Sequence, residues 1–258
     1  MLHHRPSDRL LTNRWELRYG FSPAQHILVV ESEGYVARRV AYQLEHVGYE
    51  VLTCGRAYEA RELIEQIGLP HAAVVDSTLP DTDGEELCRW MSAFSDIPTL
   101  VLIPADAPET SLLSACAYAD DSLRKPFEPC QVVECVRRLM RFLGESNLPV
   151  APLVQVDDGL AVDFVRQRAL LCDHRVSLSP LETKIMHILM RRAGHLVTVD
   201  FLVSRLGRIK SVDAMLQDTV HTSIEALHQK IGTTSRGIRY IHNVPSVGYI
   251  FMQQDKTA

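Results

Sequence analysis

The feature that most limits the fold is an alternation between residues 26 and 144. Short apolar runs recur: HILVV (26–30), EVLTC (50–54), HAAVVD (71–76), PTLVLI (98–103) and the shorter DSLRKPF (121–127). Between them lie segments of helical period. In YVARRVAYQLEHVG (35–48), Val36, Val40, Leu44 and Val47 share one helical face and Gly48 stops the helix. AYEARELIEQIG, GEELCRWMSAF, TSLLSACAYA and PCQVVECVRRLMRFLG complete five strand–helix units. Strands apolar along their whole length are buried on both faces, so the pattern predicts a parallel sheet with helices on either side. That is a doubly wound, five-stranded α/β fold, and its site is expected at the carboxyl ends of the strands.

The pattern changes at LGESNLPVAP (143–152), where Gly, Ser, Asn and Pro collect. Beyond it, GLAVDFVRQRALLCDHRVSLS reads as short antiparallel strands. Ser179 is placed to cap a helix and Pro180 suits its first turn. Helices over about 180–193, 199–206 and 213–231, then the hairpin IRYIHNVPSVGYIFM, predict a smaller α+β winged-helix domain. The expected division is a tail over 1–24, a first domain over 25–142, a linker over 143–156 and a second domain over 157–255.

Charge supports two units. Residues 1–149 carry 14 Lys and Arg against 22 Asp and Glu, whereas 150–258 carry 13 against 10. The acidic first half and mildly basic second half suggest different partners. The six cysteines form no CxxC pair, which argues against a structural metal site. The longest apolar run, TLVLIPA (99–105), is far short of a membrane span. A reducing, cytoplasmic setting without membrane contact is expected.

HAAVVDSTLPDTDG (71–84) runs small apolar residues into one acid, Asp76, and then turns. Alone, such an acid reads as a turn cap. Three ordered motifs, ILVVESE, VVDSTLPDTDG and ADDSLRKPF, make the first half resemble the receiver domain of bacterial two-component response regulators, a flavodoxin-like fold. The resemblance implies that Asp76 is the phosphoacceptor, Glu31 half of an acidic pair, and Lys125 the phosphate-pairing cation before a cis Pro126. It also implies Mg²⁺ held by Glu31, Asp76 and Thr78. Phosphoryl transfer to a carboxylate brings like-charged oxygens together, and a hard cation and an ammonium offset that repulsion.

Three positions depart from the receiver pattern. Ser32 stands where a second metal-binding acid is usual, so Mg²⁺ binding should be weakened. Ile103, or Pro104 with a one-residue shift, stands where a hydroxyl is usual. Ser122 replaces the aromatic that follows that hydroxyl inward. A hydrogen bond to a charged group contributes roughly 1.5–3 kcal/mol, so without the hydroxyl the phosphate and its loop are expected to be weakly coupled.

The second half resembles the winged-helix DNA-binding domain of the OmpR/PhoB type. LSPLETKIMHILMRRAGHLVT carries Leu178, Ser179 and Glu182 of its first helix; DTVHTSIEALHQKIG keeps the apolar frame of its recognition helix; VPSVGYIF matches its wing. The apolar matches speak for the core, not for DNA contact. Residues 213–231 hold three acids and one lysine, where the family is usually basic. Candidate DNA contacts are Arg205, Arg208, Lys210, Thr219, His221, Thr222, Ser223, His228, Lys230, Arg236 and Arg239. His221 and His228 share a face, but no third ligand joins them into a metal site.

The implied function is that of a DNA-binding transcriptional regulator, not an enzyme, with double-stranded promoter DNA and a sensor histidine kinase as partners. The receiver is expected to be weakly gated by phosphate or not at all. The alternative is an adaptor that keeps both folds and acts through protein contacts, or by pairing with another regulator. Homodimer and heterodimer both stay open; Asp120, Asp121, Arg137 and Arg138 could contribute to a self-association face. A phosphatase with an aspartyl-phosphate intermediate would need an acid two residues after Asp76, and that residue is Thr78.

Overall fold

The computed structural model describes residues 25–108, 117–143, 148–172, 174–206, 214–233, 237 and 239–252. The first part alternates strands and helices in the order β1 His26–Val30, α1 Gly34–His46, β2 Glu50–Cys54, α2 Ala57–Ile67, β3 Ala72–Asp76, α3 Gly84–Phe94, β4 Thr99–Ile103, β5 Asp121–Arg124 and α4 Pro129–Leu143. Most of the helix expected over 110–119 lies outside the described residues.

The strands pair in parallel in the order β2-β1-β3-β4-β5. Alternate side chains of each apolar run leave by opposite faces. Ile27 and Val29 join Val40, Leu44, Val132 and Val136 beneath α1 and α4. Leu28 and Val30 join Ala57, Ile64, Leu87 and Met91 beneath α2 and α3. Burial on both faces is the reason the runs lack polar alternation. Strand order reverses between β1 and β3, so the loops after them diverge and leave a crevice at their carboxyl ends.

The second part opens with an antiparallel sheet of β6 Val154–Gln155, β7 Leu160–Asp163, β8 Arg168–Leu171 and β9 Arg175–Ser177. Helices α5 Pro180–Arg191, α6 Val199–Leu206 and α7 Ala214–Ile231 follow, with β10 Leu196–Thr198 between the first two. The hairpin β11 Ile241–Val244 and β12 Gly248–Phe251 closes the fold and pairs with β10 through β12. Ser179 starts α5 as a capping box. Its backbone N–H donates to Glu182 Oε2 at 2.6 Å, and its hydroxyl accepts from the Glu182 N–H at 3.2 Å.

The two parts meet along a seam, a stripe of polar side chains set beside an apolar cluster that holds Phe94 and Ile97 together with Phe164, Ile188 and Met190. Helix α5 is buried almost all round. Ile185, Met186, Ile188 and Leu189 join the apolar core. Lys184, His187 and Arg191, spaced three and four apart, form a stripe that meets the end of α3 and the loop before β4. The Lys184 ammonium donates to the Ser92 carbonyl at 2.9 Å. Arg191 Nη1 donates to the Asp96 carbonyl at 2.6 Å, and His187 Nδ1 accepts from the Asp96 N–H at 2.9 Å. From α6, Arg205 Nε and Nη1 reach Asp96 Oδ1 and Asp120 Oδ1, each at 2.7 Å. Asp96 is 1% exposed, so the arginine answers a carboxylate that water does not reach.

Residues 148–151 seat against the same seam. The Leu148 carbonyl lies 3.1 Å from His71 Nε2. Gly68, at φ +99°, lies so close to Ala151 that a Cβ there would stand 2.2 Å from the Ala151 carbonyl oxygen.

Candidate functional site

Three loops at the carboxyl ends of the sheet bring Glu31, Asp76 and Lys125 together. Glu31 follows β1, Asp76 closes β3, and Lys125 follows β5 with a cis bond to Pro126. Lys125 Nζ lies 2.9 Å from Glu31 Oε2 and 3.1 Å from Asp76 Oδ2. Both carboxylates are 2% exposed. Burial pushes the Glu31 carboxyl above its ordinary value, and the bond from Lys125 only partly offsets this. Burial also disfavours the Lys125 ammonium, but hydrogen bonds to Glu31 and Asp76 outweigh it and hold the group above its ordinary value.

The turn after Asp76 explains its other acids. Asp81 accepts the N–H groups of Ala57 at 3.0 Å and Tyr58 at 2.9 Å, and so caps α2. Asp83 accepts the Glu85 N–H at 3.1 Å and caps α3. The plain capping role therefore belongs to these two, while Asp76 faces the lysine. Thr78 donates its backbone N–H to Asp76 Oδ1 at 3.2 Å, which fixes the carboxylate's tilt. Behind it, Gly84 packs so tightly that a Cβ would lie 2.0 Å from the Asp76 carbonyl oxygen.

Ser32 is exposed. Its neighbour Glu33, which the sequence pattern did not single out, does take part. Its N–H donates to Glu31 Oε1 at 2.9 Å, and its carboxylate lies 3.6 Å from Lys125 Nζ. That carboxylate is 66% exposed, so it is a solvated neighbour rather than a wall of the pocket. A hard divalent cation would find two buried carboxylates here and the backbone of Thr78. Among the described residues no three acidic, histidine or cysteine side chains cluster as a metal cage. The donors fit such an ion only in part.

The two positions that usually couple this pocket to the rest of the domain are accounted for. Ile103 closes β4, is 1% exposed and packs in the core with Val75, Leu87 and Val101. Ser122 is half-buried in β5 opposite Val101 and takes the Asp121 carboxylate on its N–H at 2.9 Å.

A second surface lies on α7 and the hairpin. A groove of about 220 Å³ runs between them, lined by Asp200, Gln217, His221, Asn243, Ser246 and Tyr249 among others. Thr219, His221 and Thr222 are exposed on α7, and Ser223 is half-buried. His221 Nδ1 lies 2.5 Å from the Tyr249 hydroxyl, and Thr222 donates back to the Asp218 carbonyl at 2.9 Å. His228 turns inward, with Nε2 2.8 Å from the Ile241 carbonyl, and burial pushes its pKa down. Lys230 pairs with Glu182 of the α5 cap at 2.7 Å. Arg205 is drawn into the seam. Arg208, Lys210 and Arg236 lie outside the described residues. Arg239 is exposed beside the hairpin, while Asp218 and Glu225 are exposed on α7.

Two family models match the chain. Residues 27–137 match the response regulator receiver domain, and residues 173–251 match the C-terminal domain of transcriptional regulatory proteins. The chain is 30% identical over 223 residues to the transcriptional regulatory protein PhoP of Escherichia coli O157:H7, a match spanning 83% of this chain and 97% of that protein. It is 29% identical over 235 residues to the regulatory protein VanRc of Enterococcus gallinarum, spanning 88% and 98%. Among solved structures, the response regulator DrrB, a Thermotoga maritima OmpR/PhoB homolog, matches at 24% identity and a TM-score of 0.42, covering 89% of this chain and 99% of that one.

Proposed function

Since the chain belongs to the OmpR/PhoB-type response regulators, transcriptional regulators of two-component systems with a receiver and a DNA-binding domain, we propose that its receiver is gated weakly by phosphate or not at all. In this reading Asp76 is the phosphoacceptor position and Lys125 its charge partner. Mg²⁺, which receivers typically bind at that site, would be held by Glu31, Asp76 and the Thr78 backbone; when bound, it would offset charge on the phosphoryl oxygens. Ser32 withholds one carboxylate, so the ion binds more weakly than in an ordinary receiver.

The observation that carries the reading is Ile103, buried at the end of β4 where a coupling hydroxyl belongs. A phosphoryl group on Asp76 adds roughly −1.5 to −2 charges. It can act as a switch only by interacting differently with two states of the domain. Ile103 offers no donor to make that difference, and Ser122 has no ring to follow it inward.

The output in this reading is promoter binding through α7 and the hairpin, with Arg239, Thr219, His221, Thr222 and Ser223 in reach of DNA. Arg208, Lys210 and Arg236 add cations, whereas His228, Lys230 and Arg205 are engaged by the protein itself. A sensor kinase remains the receiver's natural partner, and the domains are taken as 25–142 and 157–255, with β6 Val154–Gln155 drawn from the linker into the second domain's sheet. An adaptor that pairs with another regulator is the second reading, favoured by exposed Asp218 and Glu225 on the helix that would enter the groove.

The test is DNA binding and sedimentation with and without beryllofluoride and Mg²⁺, on wild type and Asp76→Asn. The expected result is promoter binding that changes less than twofold. A tenfold gain abolished by Asp76→Asn would restore ordinary phosphate gating. Binding to no cellular promoter would favour the adaptor.

A further inference from the structure

The seam between α3 and α5 contains two histidines whose ring nitrogens are committed. His187 Nδ1 accepts the Asp96 N–H at 2.9 Å. His71 Nδ1 accepts the His26 N–H at 2.9 Å, while its Nε2 faces the Leu148 carbonyl at 3.1 Å. Both rings line one small crevice between the two parts, together with Pro70, Pro149, Phe164 and Arg191. An Nδ1 that accepts a backbone N–H must be unprotonated. The closed seam therefore requires a neutral His187, whereas the His26–His71 bond lies within the receiver, between the heads of β1 and β3. A proton on either Nδ1 would set N–H against N–H and break the bond.

The surrounding charges sharpen this requirement. His187 faces Lys184, Arg191 and Arg192 on its own helix and His71 across the crevice, with the Phe164 ring edge-on at 5.0 Å. The Asp96 carboxylate, the nearest acid, is taken by Arg205, which also holds Asp120. His71 faces Arg191 and stacks on His26 at 5.4 Å, and His26 has the Glu50 carboxylate on its far nitrogen at 3.0 Å. Arg205 engages Asp96 through Oδ1 alone, and Asp96 Oδ2 is buried without a hydrogen-bond partner among the described residues.

We propose that the seam is a proton-released latch: acidification protonates His187, breaks its hydrogen bond from the Asp96 N–H, and frees α5 and its domain from the receiver. The proton comes from water and the charge stays on the imidazolium; no other bond changes. The recognition face of α7 is exposed with the latch shut, so the latch sets how the DNA-binding part is held rather than covering it.

The sign and size follow from linkage. Burial, with the nearby cations, lowers His71 to about 4 and drives His187 well below its ordinary value of 6.5. Closure is then fully present above the open-state value of 6.5, and it weakens as pH falls below that value. Between pH 7.5 and 5.5, the open-to-closed ratio should rise about tenfold as His187 takes up its proton.

Amide hydrogen exchange on the full chain reads this directly. Protection of the Asp96 amide, corrected for intrinsic exchange, should fall about tenfold from pH 7.5 to 5.5. It should do so through an opening that leaves Val74, in the middle of β3, protected. Unchanged protection, or loss only together with Val74, would overturn the latch. The variant H187Q should flatten the dependence, and an unchanged dependence there would assign it to other groups. If that variant does not fold, the wild-type exchange still decides.

Discussion

The two ends of the five-stranded sheet use charge in opposite ways. At the carboxyl end, Glu31, Asp76 and Lys125 gather in a pocket whose lysine is partly open to water. At the amino end, Asp96, Asp120 and His71 are spent on holding a second domain. The strands between the ends, β3 and β4, are apolar until Asp76, apart from Thr99 at the head of β4. The comparison teaches that a buried charged cluster and an interdomain joint can share a sheet without sharing a polar path among the described residues. β4 ends in Ile103, so the strand nearest both ends offers the pocket no hydroxyl to pull on.

The hardest blow to this contrast is Arg205→Ala. It strands the Asp96 and Asp120 carboxylates in a dry seam, and breaking a buried pair of this kind costs about 3–5 kcal/mol. Denaturant unfolding should show that loss, with pocket reactivity at Asp76 intact. A loss under about 1 kcal/mol would mean that water reaches the seam, as it does for surface pairs.

Two glycines probe the ends separately. Gly68→Ala sets a Cβ against the Ala151 carbonyl at a positive φ, and Gly84→Ala sets one against the Asp76 carbonyl. Each should cost about 1–3 kcal/mol. The first should loosen the seam, seen as faster exchange at Asp96. The second should move Asp76 and change its labelling by small phosphodonors. If either substitution disturbed both ends equally, the ends would be coupled after all. The smallest effect is expected from Asp76→Asn: Lys125 keeps Glu31, and the seam amides should exchange within about twofold of wild type, since no polar chain among the described residues links the sites.

Much of this was legible in the residues. Five apolar runs and their helices gave strand positions within a residue or two, because burial on both faces leaves a plain local mark. Ser179, Pro180 and Glu182 announced α5 for the same reason. Asp76, Glu31 and Lys125 were found through ordered motifs, and the structure brings them within bonding distance. The seam was not legible. Lys184, His187 and Arg191 look like the wet stripe of an amphipathic helix, and their partners Ser92 and Asp96 lie about ninety residues away. Nothing local separates a solvated stripe from a docked one. Helical position also misplaced reach: His228 and Lys230 sit on the recognition helix, yet their side chains fold back to Ile241 and Glu182.

The stripe on α5 carries one more consequence. Parting most docked helices bares oil, and the exposed faces stick to whatever is near. Parting this one would wet an ammonium, an imidazole and a guanidinium beside the apolar cluster that continues across the joint. Charge along one stripe lowers the amount of bare oil that opening exposes, without removing it.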